Sequence, residues 1–138
     1  MTARNHNDVD TGAVVRAAAF RAALRSFLRT SERTARACGL TPQRYLLLLM
    51  VKGAPDGSEQ TTVTELADRL QLGQSTVTEL VKRAEQAGLI ERERSEVDGR
   101  VAHVRLTAEG ERRLARSFTA LAEERRALRR IFDELDGD

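Results

Sequence analysis

The 138-residue sequence predicts a mainly α-helical protein with a small two-stranded β-hairpin. Two amphipathic stripes of helical spacing lie in the middle of the chain, separated by a turn of a few residues. Two short strand-like segments follow, and the tip between them contains Asp98-Gly99, a strong hairpin signal. Long runs of helical periodicity occupy both ends of the chain. These observations predict a small helical domain flanked by long helices.

The composition argues against several classes of protein. One cysteine, Cys38, excludes an intrachain disulfide and makes a cysteine-rich zinc site implausible. With two histidines and no tryptophan, groups for metal or acid–base chemistry are scarce, so no enzyme activity, metal or cofactor is expected. No stretch approaches the roughly 20 apolar residues of a membrane helix. A cytoplasmic protein that does not bind membranes is therefore expected.

Charge is unevenly distributed along the chain, whose formal net charge is +2. Residues 1–40 carry seven arginines and three acidic residues, whereas residues 61–106 carry seven basic and eight acidic residues. If the protein binds nucleic acid, it does so through individually placed cations and not through bulk positive charge.

Two helices are predicted in the first third of the chain. The first runs from about Thr11 to Ala37, and Gly39 ends it. Thr41 caps the second helix, with Pro42 at its first position. The apolar run from Tyr45 to Val51 resembles a buried strand in composition, but this start signal favours a buried helix.

The middle of the chain predicts a helix-turn-helix. A capping box begins its first helix, where the Thr62 hydroxyl and the Glu65 carboxylate each accept from a backbone amide. The apolar stripes are Val63, Leu66, Ala67 and Leu70 in the first helix, and Val77, Leu80, Val81 and Ala84 in the second. Gly88 closes the second helix as a left-handed cap. Two such helices bury their stripes against each other.

A β-hairpin, or wing, follows the helix-turn-helix. Its strands are residues 89–94 and 101–106, and residues 95–100 form the tip. In the second strand Ala102, Val104 and Leu106 face inward, and Val101, His103 and Arg105 face outward.

The last helix is predicted to begin at Thr107 and to carry a heptad seam. Leucines recur every seven residues, two phenylalanines take the alternate positions, and Arg125 interrupts the seam. At about 1.5 Å per residue this helix would be about 43 Å long, so we expect it to pair with a second chain. The residues expected at the dimer interface are Phe20, Leu24, Leu114, Phe118, Leu121, Leu128, Phe132 and Leu135.

The domain organisation follows from these elements. We expect a disordered tail (1–11), a first dimerisation helix and a buried helix (12–52), a loop (53–61), a winged helix-turn-helix lobe (62–106) and a C-terminal dimerisation helix (107–138).

From Thr62 to Gly110 the sequence resembles the MarR family of winged-helix transcription factors. The matching segments are Val63-Thr64-Glu65-Leu66-Ala67, Ser75-Thr76-Val77-Thr78, Leu80-Val81, Glu85-Gln86-Ala87-Gly88-Leu89-Ile90, Asp98-Gly99-Arg100 and Leu106-Thr107-Ala108-Glu109-Gly110. Gly39-Leu40-Thr41-Pro42-Gln43 also resembles the family's entry to its second helix.

The resemblance implies an obligate homodimer in which the first and last helices of two chains interlock. Two winged lobes would grip pseudo-palindromic double-stranded DNA, and a small anionic or phenolic effector would release it. Many members repress genes for drug efflux, stress defence or the breakdown of aromatic compounds. Three features depart from the family pattern: Gly73 replaces a side-chain cap, Glu79 replaces a basic residue, and little room remains for a separate final helix.

The polar face of the second helix of the helix-turn-helix is the expected major-groove surface. Its predicted DNA-binding residues are Gln74, Ser75, Thr76, Thr78, Glu79, Lys82 and Arg83. Glu79 would accept a hydrogen bond from the amino group of cytosine. The alternative is that the whole polar face is merely solvated and contacts no DNA.

Arginines of the wing supply the expected backbone and minor-groove contacts. Arg100 at the tip would enter a narrow minor groove, positioned by Asp98; the alternative is a surface ion pair. Arg92 and Arg94 would reach phosphates or pair locally with Glu91 and Glu93.

Outside the lobe, Arg21, Arg25, Arg29 and Arg33 form a stripe along the first helix. The stripe could line an anionic pocket or hold phosphate, but pairing with Glu123, Glu124, Asp133 and Glu134 of the last helix is favoured. Cys38 is interpreted as a packing residue and not as an oxidant sensor.

The resulting hypothesis is a homodimeric, sequence-specific DNA-binding regulator, a repressor that a ligand releases from its operator. The near-neutral charge of residues 61–106 keeps one alternative open: a non-enzymatic adaptor that binds protein partners through the wing or the seam.

Overall fold

The computed structural model describes residues 8–94, 96–97 and 99–135. Its elements are α1 (Thr11–Ala37), α2 (Pro42–Lys52), β1 (Gln60–Thr61), α3 (Val63–Leu70), α4 (Gln74–Gln86), β2 (Ile90–Arg94), β3 (Ala102–Leu106), α5 (Ala108–Ala120) and α6 (Ala122–Leu135). This mainly helical architecture with a small antiparallel sheet confirms the predicted fold class. The chain divides into two compact units: residues up to Ser31 together with those from Leu121 onward, and residues Glu32–Ala120.

The start and stop signals of α1 and α2 lie where the sequence predicts them. Gly39 follows α1 with a φ of +78°, a left-handed conformation that glycine adopts without strain. Thr41 caps α2, because its hydroxyl accepts from the amide of Arg44 at 3.2 Å. Pro42 occupies the first helical position.

The core of the larger unit forms around α2, which is the buried helix that the sequence predicts. Leu47, Leu48 and Val51 of α2 are fully buried. The other fully buried large side chains of this unit are Leu66 of α3, Val77 and Val81 of α4, Ile90 of β2 and Val104 of β3. The predicted helical stripes and the inner face of the wing therefore meet in one hydrophobic core.

The capping box of α3 is confirmed in one half and wrong in the other. The Thr62 hydroxyl accepts from the amide of Glu65 at 3.2 Å, as predicted. The Glu65 carboxylate accepts from the hydroxyl of Thr61 at 2.7 Å and not from a backbone amide. Thr61 is buried in β1, where its hydroxyl requires an acceptor.

The sheet has three strands in the order β1-β3-β2, so the predicted two-stranded hairpin is incomplete. β1 lies inside the predicted loop 53–61 and pairs Gln60 with Arg105 and Thr61 with Val104. β2 and β3 pair antiparallel from Ile90 opposite Leu106 to Arg94 opposite Ala102. Ser95 and Asp98 of the predicted tip lie outside the described residues.

His103, which is predicted to face outward in β3, is less exposed than a fully solvated residue. The residue is half-buried, and its Nδ1 atom is buried without a hydrogen-bond partner among the described residues.

The final helix is not continuous, so the predicted 107–138 helix is wrong. Thr107 does cap its start, since its hydroxyl accepts from the amide of Gly110 at 3.1 Å. The helix breaks at Leu121, and α6 begins directly after it and extends to Leu135. Ser117 bonds back to the carbonyl of Arg113 at 3.3 Å, which weakens a helix. Glu123 and Glu124 favour a new helix N-terminus beyond the break.

The smaller unit leaves apolar groups uncovered. The rings of Phe20 and Phe132 meet edge to face, with centroids 5.9 Å apart. Phe132 is 54% exposed, and Leu28 of α1 is 48% exposed. A cavity of about 220 Å³ lies in this unit, lined by Ala23, Ser26, Phe27, Thr30, Glu124, Ala127, Leu128 and Ile131.

The eight predicted dimerisation residues differ in burial. Leu114 and Leu121 are buried; Phe20, Leu24, Leu128 and Leu135 are half-buried; Phe118 and Phe132 are exposed. Two of them, Leu114 and Phe118, belong to the larger unit.

The arginine stripe of α1 makes no ion pair among the residues that the structure describes. Arg21, Arg25, Arg29 and Arg33 are all exposed. The favoured interpretation, pairing with acids of the last helix, is therefore not seen within the single chain and stays a prediction. Of those acids Glu123 pairs with Arg126 of its own helix at 3.4 Å instead, a pair that needs no second element.

Candidate nucleic-acid interface

The core positions α4 so that its polar face is open. Val77, Val81 and Ala84 are buried and hold the helix against the larger unit. All seven predicted DNA-contacting residues of α4 are exposed, namely Gln74, Ser75, Thr76, Thr78, Glu79, Lys82 and Arg83. An exposed polar face of this length can enter the major groove of DNA.

The N-terminus of α4 offers backbone amides in addition to side chains. Gly73 is the N-cap residue and contributes no side-chain cap. The first hydrogen bond of the helix runs from the amide of Val77 to the carbonyl of Gly73 at 3.1 Å. The amides of Gln74, Ser75 and Thr76 therefore lack intrahelical acceptors, and they carry the positive end of the helix dipole. This arrangement suits a phosphate oxygen.

Several side chains on this face are already engaged. Thr78 donates its hydroxyl to the carbonyl of Gln74 at 2.8 Å. Arg83 donates its Nε to Glu79 Oε1 at 3.3 Å, both side chains being more than half exposed. As a base reader, Glu79 must use its second oxygen or leave Arg83. Lys82 is exposed and forms no ion pair among the described residues.

The wing carries its arginines in the same unit as α4. Arg92 bonds Glu85 of α4 through Nε at 3.3 Å and Nη2 at 3.4 Å. Arg94 donates to the carbonyl of Gly99 at 3.3 Å. Arg100, the residue after Gly99, is exposed. Asp98 lies outside the described residues.

Glu91 and Glu93, which were considered as local partners of Arg92 and Arg94, pair with a different arginine in the structure. Glu91 and Glu93 bind Arg105 of β3, at 2.9 and 3.3 Å. Adjacent residues of a strand point to opposite faces, so Glu91 and Glu93 face Arg105 across the ladder and not Arg92 or Arg94 beside them.

Sequence reasoning missed a pocket between α2 and α5, which we call the α2–α5 pocket. It has a volume of about 360 Å³ and is lined by Leu49, Lys52, Gly53, Glu111, Leu114, Ala115 and Phe118. Lys52 Nζ lies 2.9 Å from Glu111 and 3.0 Å from Glu59. The hydrogen bond to Glu111, followed by the one to Glu59, raises the pKa of Lys52 above its usual value. The one signal in the sequence for this pocket was a charged residue, Lys52, at the end of the apolar run of α2.

Arginines also surround the start of α5. Glu109 binds Arg112 at 2.7 Å and Arg113 at 3.0 Å. These two bonds, the one from Arg112 first, lower the pKa of the Glu109 carboxyl. Arg113 also donates to the carbonyl of Gly39 at 3.0 Å, which ties α5 to the turn after α1.

In the described part of the chain, the His, Cys, Asp and Glu side chains form no group of three or more that could hold a metal ion. None of its helices combines the length and the apolar character needed to cross a membrane.

A helix-turn-helix followed by a β-wing, with an exposed polar second helix, defines a winged-helix protein. The sequence model of the MarR family matches residues 39–101, which include α2, α3, α4 and most of the wing. The match covers a little under half of the chain, and over this segment the chain is similar to the MarR family.

Two curated relatives and one solved structure illustrate the similarity. The chain is 39% identical over 71 residues to the organic hydroperoxide resistance transcriptional regulator of Bacillus subtilis, covering 51% of this chain and 46% of the relative. It is 42% identical over 72 residues to the HTH-type transcriptional regulator MgrA of Staphylococcus aureus, covering 52% and 46%. Its fold is similar to that of a MarR mutant from E. coli in complex with operator DNA, with a TM-score of 0.64, 17% identity and coverage of 94% and 85%.

The sequence alignments span about half the length of the curated relatives. Those relatives are named as transcriptional regulators, which fits the expectation of a protein that is not an enzyme.

Proposed function

We propose that the protein is a homodimeric, sequence-specific DNA-binding transcriptional regulator in the cytoplasm. It acts as a repressor that a small-molecule ligand releases from a pseudo-palindromic operator. The observation that carries the proposal is the exposed polar face of α4, with its open N-terminal amides, in the same compact unit as the arginines of the wing. The operator complex of the structurally similar MarR mutant supports a DNA partner.

The α4 face and the wing would divide the DNA contacts between them. Ser75 and Thr76 with the free amides would bind phosphate, and Lys82 and Arg83 would reach base edges or phosphates. Arg100, Arg94 and Arg92 would contact the adjacent minor groove and backbone. To bind a phosphate, Arg92 must first break its ion pair with Glu85. We therefore expect Arg92 to contribute less to DNA affinity than Arg100.

Dimerisation is supported by the uncovered apolar groups of the smaller unit. Phe132, Leu28 and Val14 are each about half exposed, with exposures of 54%, 48% and 50%. Uncovered apolar surface commonly marks a protein interface. A second copy bound through α1 and α6 would cover them and would present two lobes to a two-fold DNA site.

Electrophoretic mobility shifts at two salt concentrations test this function. With duplex DNA containing the bound site, we expect affinity to fall by roughly 10³-fold or more between 50 and 200 mM salt, as 6–10 phosphate contacts require. Sedimentation equilibrium at both concentrations should show a dimer, so that loss of the dimer is not mistaken for loss of phosphate contacts.

The adaptor alternative predicts the opposite outcome. It is favoured by the ion pairs that neutralise Arg92 and Arg105 on the wing. Binding that is absent at 50 mM salt, or that does not change with salt, would exclude phosphate contacts and support the adaptor.

A further inference from the structure

Lysine is rare in this chain, although basic residues are not. Of the 23 basic residues two are lysines, Lys52 and Lys82, and the others are arginines. A neutral lysine amine is a nucleophile, whereas the guanidinium of arginine keeps its proton and its charge in proteins. Reagents that acylate amines therefore meet two candidate side chains, and the surroundings of each decide which one reacts.

Lys52 is held in its protonated form. Its Nζ atom lies 2.9 Å from Glu111 Oε1 and 3.0 Å from Glu59 Oε1. The hydrogen bond to Glu111, followed by the one to Glu59, raises the pKa of Lys52. A raised pKa reduces the fraction of neutral amine at a given pH, and an attack by Nζ breaks its bonds to both carboxylates. We therefore expect Lys52 to react slowly.

Lys82 is in the opposite situation. It is exposed on α4 and makes no ion pair within the described part of the chain. The acidic residues next to it on the helix surface are Glu79, three positions before it, and Glu85, three positions after it. Glu79 binds Arg83 at 3.3 Å, and Glu85 binds Arg92 at 3.3 Å. Both carboxylates that could neutralise Lys82 from its own helix are therefore occupied, which leaves its amine open to solvent.

We propose that Lys82 is a modification site that acyl phosphates acylate at Nζ. In this reaction the neutral amine attacks the carbonyl carbon of the acyl group, and an amide C–N bond forms. The C–O bond to the phosphate breaks, the phosphate leaves with the bonding electron pair, and the nitrogen gives up one proton to solvent. No oxidant or reductant takes part. The modified side chain carries no charge.

The position of Lys82 gives the modification a consequence for DNA binding. Lys82 lies on the exposed polar face of α4. Acylation removes the positive charge of its side chain and leaves one N–H donor in place of three. A phosphate contact made by this ammonium group would be lost. This regulatory meaning rests on the proposed function, whereas the modification itself does not.

Mass spectrometry of the full chain treated with acetyl phosphate at pH 8 tests the site. Samples taken over time are digested, and acetylation is measured in the peptides that contain Lys52 and Lys82. We expect Lys82 to be acetylated at least about tenfold faster than Lys52, the effect of one charge-assisted hydrogen bond that Lys52 must break. Neutral hydroxylamine removes any acyl group from the thiol of Cys38 and leaves the amides intact.

Two variants test the cause of this difference in rate. Glu111→Gln should speed acetylation of Lys52 severalfold and leave the rate at Lys82 unchanged, because it removes the partner that raises the pKa of Lys52 most. Glu59→Gln, at a more exposed carboxylate, should act in the same direction and replaces the first variant if that variant does not fold. Circular dichroism verifies that each variant is folded.

Fluorescence anisotropy then compares the DNA affinity of each protein before and after treatment. Acetylation of the wild type should weaken binding at least about tenfold, the loss of one charge-assisted contact. It should also reduce the slope of log affinity against log salt by about one for each modified chain. The Lys82→Arg variant is compared with its own untreated affinity, which treatment should not change. The Lys52→Arg variant should respond to treatment as the wild type does.

Three outcomes would overturn the proposal. They are acetylation of Lys52 as fast as that of Lys82, a rate at Lys52 that neither glutamine variant changes, and a DNA affinity that complete acetylation of Lys82 leaves unaltered. Because the acetylation rates are measured without DNA, an untreated protein that binds no DNA would refute the proposed function, and the rates would still decide whether Lys82 is the modification site.

Discussion

Replacing Gly110 by alanine is expected to destabilise the protein by more than about 3 kcal/mol, although alanine favours helices. Gly110 is buried in the first turn of α5. A methyl group there would overlap the carbonyl oxygen of Leu89 and lie 3.3 Å from the Leu106 side chain. Backbone cannot move aside cheaply, so the clash outweighs the roughly 1 kcal/mol by which alanine exceeds glycine in helix propensity.

The contact matters because the start of α5 is docked on the turn that closes α4. Thr107 donates its amide to the Leu89 carbonyl at 3.0 Å and its hydroxyl to the Gly88 carbonyl at 2.6 Å. A shift of α5 large enough to admit a methyl group would break both bonds. The packing of the start of α5 against Leu89 thus explains the glycine that ends the family-like sequence Leu106-Thr107-Ala108-Glu109-Gly110.

Urea denaturation at one fixed protein concentration measures the effect, since the proposed dimerisation would make stability depend on concentration. Gly99→Ala is the control, because a methyl group at Gly99 would meet nothing within 4 Å. A Gly110→Ala variant as stable as the wild type would show that the approach of α5 to Leu89 is wrong.

Replacing Arg100 by alanine should weaken DNA binding at least about tenfold and reduce the salt dependence by about one ion. Arg100 is exposed on the wing, where a guanidinium can enter a narrow minor groove. The loss should be greatest for sites with A·T-rich flanks. Sedimentation should show an unchanged oligomeric state.

Arg116→Ala is the matched control for this prediction. Arg116 is an exposed arginine of α5 outside α4 and the wing, and its loss removes the same charge. Equal losses for the two variants, measured by fluorescence anisotropy on one duplex, would mean that net charge and not the position of Arg100 determines affinity.

The sequence was sufficient for the elements that local signals define. Thr41 and Pro42 mark the start of α2 through their own side chains. Gly39 marks the end of α1 through its backbone freedom. The apolar stripe of α4 identified its buried face and therefore its exposed one. The polar surface of the candidate site followed from the same periodicity.

Features that depend on distant partners could not be predicted. The two residues of β1 are too few to show alternation, and they form a strand because β3 lies beside them. Arg92 finds Glu85 on another element, which strand periodicity does not reveal. The heptad spacing of Leu114, Leu121 and Leu128 indicates apolar positions, but it does not report whether the helix is continuous through Leu121.

The α2–α5 pocket was missed for a related reason. Lys52 and Glu111 are far apart in the sequence, and each alone is an ordinary charged residue. Only the packing of α2 against α5 brings them together in one lining.

Selection of bound duplexes from a random DNA pool tests the central proposal most directly. Two matched lobes should enrich a two-fold symmetric sequence whose half-sites are centred about 10–10.5 base pairs apart. Recovery of a pool without enriched sequence, or of one asymmetric site occupied by a single chain, would contradict the account.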